Sequence, residues 1–208
     1  MNITNLFTDQ SVIQKIQSRL PELFYIAELE SSRAGKIGME VGSVRERILI
    51  ALLIYKFGKD NVETEIPIIE PEIDVKVFSQ PISIKTITGK RIGGVKLVWT
   101  VDAEKARRFS QEYHPRCDIL LVQINWGGAG GFFFIPQSTQ LQILDELGRS
   151  NYFTLPKPGT NPRGVEISKQ ALARLTKHPK TISIPILWRR TRVDYNPYER
   201  WLEFWKKE

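Results

Sequence analysis

Residues 70–74 read Glu70-Pro71-Glu72-Ile73-Asp74, and residues 81–86 read Pro81-Ile82-Ser83-Ile84-Lys85-Thr86. Both belong to short β-rich runs bounded by turn residues, with strands expected over 65–69, 73–78 and 82–87. A period of two puts Ser83 and Lys85 on one face of the strand at 82–87, and Ile82 and Ile84 on the other. Asp74 opens the strand before it, so two adjacent strands can bring Asp74 and Lys85 together at one end of a sheet.

Helices flank these strands. Upstream, RERILIALLIYKF predicts a helix over 44–57, capped by Ser43 and closed by Gly58, with Ile48, Leu49, Leu52 and Tyr55 on one face. Before it lie the loop SSRAGKIGMEVGS (31–43) and a helical stretch over 9–31, broken or kinked near Pro21. Downstream, GKRIGG (89–94) reads as a turn and 95–100 as a further strand. A helix starting at Thr100 or Asp102 runs to about Tyr113, and an apolar strand follows at 118–126. WGGAGG (126–131) forces a bend before a strand at 132–136, then come helices at 137–148 and 166–177 around a Pro/Gly loop at 155–164. A strand at 182–188 and an amphipathic helix at 198–207 complete the chain. The order predicts an α/β protein, with a central mixed β-sheet flanked by helices, in a single domain over 1–208.

Composition narrows the function. The chain has 208 residues, of which 41% are hydrophobic, enough for a core and too many for wholesale disorder. The longest apolar run, 48–55, is too short to span a bilayer, and the first residues lack the layout of a secretory signal. A soluble, cytoplasmic protein without a membrane partner is expected. One cysteine, Cys117, and two histidines, His114 and His178, exclude a disulfide framework and leave almost nothing for a Cys- or His-based metal cage. Cys117 follows His114 closely, but no further ligand accompanies them, and a buried thiol is the expectation.

Charge is unevenly placed. Residues 149–208 carry 13 Lys/Arg against 5 Asp/Glu, whereas residues 1–148 carry 17 against 18. A polyanion suits such a basic part, because each neutralised phosphate releases counterions; the plainer alternative is a solvated basic surface.

The acid–lysine pair suggests a chemistry. A carboxylate at Asp74 can hold Mg²⁺, which binds through one or two carboxylates, waters and phosphate oxygens. Lys85 beside it can orient a water and, with the metal, offset charge building on an attacked phosphate.

This arrangement resembles the PD-(D/E)XK nuclease superfamily, and more narrowly the type II restriction endonucleases, over roughly residues 43–126. The resemblance assigns the family's strand-borne aspartate to Asp74 and its lysine to Lys85. Two features depart from the pattern: proline precedes Asp74 by three residues rather than one, and Ser83 stands where the second acid is usual, giving S-X-K. Some restriction enzymes with S-X-K take the missing carboxylate from the following helix, where Asp102 and Glu104 lie. Glu104 is the preferred donor. A glutamate on the first core helix often approaches the metal in this superfamily; Glu46 is that candidate, with Glu40 second. Catalytic roles therefore fall to Asp74, Lys85, Ser83 and Glu104, and metal binding to Asp74, Glu104 and Glu46. Each has a plainer reading: Asp74 could begin a strand, Lys85 could be solvated, Glu104 could complement the helix dipole, and Glu46 could pair with a surface base.

For DNA contact, Arg189, Arg190 and Arg192 follow directly on the strand at 182–188, and arginine forks suit phosphates and guanine edges. Arg33 and Lys36 in the glycine-containing loop could reach a groove, and Met39 could wedge between base pairs. Lys157, Arg163 and Lys169 are generic phosphate candidates. Gln123 and Asn125 could read bases or cap the core. Trp188, Trp201, Phe204 and Trp205 look like core or dimer packing. WGGAGG lacks the Lys-Ser/Thr ending of a phosphate loop and reads as a hairpin or a close backbone approach, such as one to a partner subunit.

The expected function is Mg²⁺-dependent hydrolysis of double-stranded DNA at a short palindrome by a homodimer. The alternatives are a structure-selective repair nuclease or junction resolvase of the same fold, and a non-catalytic DNA-binding protein.

Overall fold

The structure is a computed structural model that describes residues 2–33, 36–67, 70, 72–100, 102–156 and 164–207. Helix α1 (Gln10–Glu30) is started by Asp9, whose carboxylate accepts from the amides of Ser11 and Val12. It runs through Pro21 without the break that the sequence allowed. Val12, Ile16, Leu20, Phe24 and Ala27 are buried on both sides of the proline, so packing of that stripe outweighs the backbone bond that proline removes. The hairpin β1 (Ser32–Arg33) and β2 (Lys36–Ile37) leads into α2 (Val41–Phe57). This helix starts earlier than Ser43. A turn in which the Val41 amide donates to the Gly38 carbonyl (3.4 Å) feeds it without a side-chain cap.

Next come β3 (Val62–Glu63), β4 (Val75–Val77) and β5 (Gln80–Thr88). The strand expected over 65–69 does not form: residues 64–67 are irregular, and 68–69 lie outside the described residues, as does Pro71. A tight turn at Phe78 and Ser79, both at positive φ (51° and 64°), joins β4 to β5. The remaining elements are β6 (Val95–Val98), α3 (Ala103–Glu112), β7 (Asp118–Ile124), β8 (Ala129–Ile135), α4 (Gln137–Leu147), the single turn α5 (Arg149–Tyr152), β9 (Phe153–Thr154), β10 (Val165–Ile167), α6 (Lys169–Lys177), β11 (Ile182–Leu187) and α7 (Glu199–Trp205).

The central sheet is mixed and ordered β11-β8-β7-β5-β4-β3. Among the described residues only β5 and β7 pair in parallel, which requires a crossover between them; α3 and β6 travel in it. β6 therefore leaves the main sheet and pairs with β10 in a smaller one ordered β6-β10-β9. Each face of the central sheet carries its own core, as a period of two demands. Ile82, Ile84, Leu120 and Val122 pack with Leu49 and Leu53 of α2, while Ile119 and Leu121 pack with Leu144, Val165 and Leu172.

Two packing expectations resolve in part. The close backbone approach in WGGAGG lies within the chain: a Cβ on Gly130 would come 2.2 Å from the Gln123 carbonyl and 2.6 Å from the Trp188 indole nitrogen. Trp188 is buried, but Trp201, Phe204 and Trp205 are exposed (54, 58 and 88%) and lie outside the core. No helix among the described residues is long and apolar enough to cross a membrane.

Candidate active site

The β4–β5 hairpin fixes the pair that sequence reading singled out. The Asp74 amide donates to the Ile82 carbonyl (2.9 Å), extending the ladder one residue beyond β4. Its Oδ2 then accepts from the Ile84 amide (2.5 Å), the Ser83 hydroxyl (3.2 Å) and Lys85 Nζ (3.3 Å). Among the described residues Oδ1 accepts no hydrogen bond, so one edge of the carboxylate is anchored and the other is available. Ser83 is buried. It stands where a second acid would repel Asp74, and donates to it instead.

Glu46 approaches from α2. Burial raises its carboxyl above the usual range, the neighbouring Asp74 charge adds to the rise, and Lys85 and Arg47 oppose it. Glu46 and Lys85 line a cleft of about 490 Å³ together with Thr86, Lys96, Trp99 and Glu166. Glu40, the second choice on this helix, is exposed at its N-cap.

Glu72 was missed. Burial raises its carboxyl, while a hydrogen bond from the Tyr113 hydroxyl and the charges of Lys85 and Arg116 act the other way; Asp74 adds to the rise. Its spacing of two from Asp74 was a usable signal. Cys117 packs beside it, buried, with its thiol pushed up chiefly by desolvation and then by the Glu72 charge, as expected of an inert thiol.

Glu104 is placed elsewhere. It sits exposed in the first turn of α3, where its amide donates to the N-cap Asp102 (2.9 Å). It lines a separate hollow with Asp102, Lys105, Arg107, Arg108 and Gln111. No hydrogen bond or ion pair among the described residues joins it to Asp74 or Lys85. The reason is topological: α3 follows β6 into the second layer. The acids that the structure brings to Asp74 and Lys85 are Glu46 and Glu72.

The proposed DNA-contacting residues divide. Arg189 and Arg192 are exposed on the segment after β11. Arg190 is engaged with the body of the protein: it donates to Glu28 Oε2 (2.8 Å) and lies 5.0 Å from the Trp126 ring and 5.6 Å from that of Tyr25. Glu28 is buried and also accepts from Arg45 (2.7 Å) and the Trp126 indole (2.7 Å). Lys36 is exposed in β2, and Met39, at the turn before α2, is 90% exposed. The Arg33 side chain, Lys157 and Arg163 lie outside the described residues, and Lys169 is exposed in α6. Gln123 donates to the Gly89 and Lys90 carbonyls and Asn125 to that of Ala129, so both cap backbone.

Among the described residues no three acids, histidines or cysteines already form a metal cage. Two hard oxygen donors, the Asp74 oxygen left open among the described residues and Glu46, nevertheless suit a hard divalent cation that keeps waters and takes phosphate oxygens. A mixed sheet with an anchored acid–lysine pair, faced by an acid from the preceding helix, defines a nuclease of the restriction-endonuclease type. The family described as "Restriction endonuclease ThaI" matches residues 6–207, and the chain belongs to the ThaI restriction endonuclease family. That membership makes it a site-specific deoxyribonuclease, a hydrolase. A solved structure described as "Restriction endonuclease in complex with substrate DNA" is similar to it, with 59% identity, 98% of both chains covered and a TM-score of 0.92. No curated protein matches the chain.

Proposed function

We propose that this nuclease cuts double-stranded DNA at a short palindromic site as a homodimer, using Mg²⁺ held by Asp74 and Glu46. The observation that carries the reading is the half-engaged Asp74 carboxylate, tied on one oxygen by Ser83, Ile84 and Lys85 and, among the described residues, free on the other. In hydrolysis a water oxygen adds to phosphorus, one P–O ester bond breaks, and the leaving oxygen takes up a proton. When bound, the ion supplies Lewis acidity and a more acidic water. Lys85 orients the attacking water and offsets charge growing on the phosphate oxygens. Ser83 and the Ile84 amide hold Asp74 rigid, which keeps acid and lysine in one geometry. Glu46 supplies the second carboxylate in place of the one absent at Ser83.

Outside the cleft, Arg189, Arg192 and Lys36 offer exposed cations for the duplex, with Arg33 three residues before Lys36 in sequence, and Met39 offers an apolar wedge. The similarity to a restriction endonuclease solved with substrate DNA supports DNA as the partner. A two-fold symmetric protein on a two-fold symmetric site accounts for cutting both strands. Incubating the protein with long phage DNA and Mg²⁺ tests the reading. Discrete, reproducible fragments are expected; a smear, or nicking of branched DNA alone, would replace it with a structure-selective nuclease, and bound but intact DNA with a binding protein.

A further inference from the structure

The cleft holding Glu46 and Lys85 has a second wall with no part in holding the metal or the attacking water. It comes from the small sheet, through Lys96 of β6, Glu166 of β10 and Trp99 just past β6. Trp99 is 64% exposed, a large aromatic surface beside a catalytic centre. Lys96 Nζ lies 3.5 Å from the centre of its ring.

The pairing around Lys96 is unusual for a lysine beside acids. Glu166 is its direct partner across the β6–β10 ladder, yet no ion pair joins them. Glu166 leans instead over Gly94, where an added Cβ would come 2.9 Å from its Oε2. Lys85, the other lysine lining the cleft, is already held by Asp74 at 3.3 Å. Among the described residues, Lys96 is therefore the cleft ammonium with no carboxylate partner. An aromatic face attracts an ammonium without occupying its donors as a carboxylate would, so its charge stays available to an anion. A phosphodiester entering the cleft meets the carboxylates of Glu46 and Glu166, and a cation on the far wall offsets that repulsion.

We propose that Lys96 and Trp99 form a subsite that grips the sugar-phosphate backbone of the strand being cut, beside the bond hydrolysed. Lys96 takes the phosphate oxygens and the Trp99 ring lies against the adjoining deoxyribose. The assignment rests on the cleft being the catalytic centre.

The test is duplex binding by full-length protein carrying Lys85→Ala, so that the DNA stays intact, with Lys96→Gln, Lys96→Arg, Trp99→Ala or Trp99→Phe added. Lys96→Gln is expected to bind about tenfold more weakly at low salt. The slope of log K against log salt should fall by about 0.9, the signature of one lost phosphate contact. Lys96→Arg should recover most of the affinity, and Trp99→Phe most of what Trp99→Ala loses. Unchanged affinity and slope in Lys96→Gln would overturn the subsite. Failure of the unaltered protein to cut phage DNA would instead overturn the catalytic reading, and the salt slope would still decide whether Lys96 meets a phosphate.

Discussion

Replacing Glu28 by glutamine should separate a buried ion pair from an exposed one at a single acid. Glu28 is buried and accepts from Arg45, Arg190 and Trp126. The two arginines differ: the Arg45 side chain is 7% accessible and that of Arg190 is 50%. Arg45 has little else to turn to, since its Nε is buried without a partner and its other side-chain bond, to Thr88, is long at 3.4 Å. Removing the carboxylate strands that guanidinium in the core, a loss of about 3–5 kcal/mol for a buried pair with one partner removed. At roughly 2–4 °C per kcal/mol for a chain of this size, the melting midpoint should fall by about 6–20 °C. Arg190→Gln removes only a half-solvated partner, and should cost about 1 kcal/mol or less. Urea unfolding of the three proteins at one pH and salt measures both differences. If Glu28→Gln costs under about 1 kcal/mol, or if Arg190→Gln costs as much as Glu28→Gln, the hub is not held as described.

Two further predictions follow from site and surface. Glu46→Gln should lower the cleavage rate by about a hundredfold or more, as loss of a preorganised charged group does, while Glu104→Gln stays within about threefold; comparable losses in both would return Glu104 to the centre. Lys56, 2.5 Å away, holds the Asp9 carboxyl below the usual carboxylate range, with Ser11 and Val12 adding. Because its folded pKa is depressed, its contribution is present above the ordinary aspartate value near 4 and is lost as pH falls through the folded value. Unfolding measured at pH 7, 4 and 2 should therefore show the wild-type advantage over Asp9→Asn shrinking in acid.

What the sequence made legible was short-range. The period of two in 82–87 placed Ser83 and Lys85 together, and the hairpin turn brought Asp74 against them. Glu46 was reachable from family resemblance, and Glu72 from its spacing to Asp74. The rest depended on long-range pairing. Nothing local shows that β6 leaves the main sheet for β10, and that departure is what carries Glu104 away from the site and puts Lys96 and Trp99 at the cleft. Pro21 reads as a break because the sequence does not reveal how firmly Leu20 and Phe24 are packed. Arg190 reads as a DNA contact in a basic run, because its acid lies 162 residues earlier in the chain.

The most direct test of the central assignment is single-turnover cleavage of a mapped site by Lys85→Ala at saturating protein, beside binding of the same duplex. A rate about a thousandfold or more below wild type is expected, with the complex still formed. Cleavage within about tenfold of wild type would contradict it and place the chemistry elsewhere in the chain.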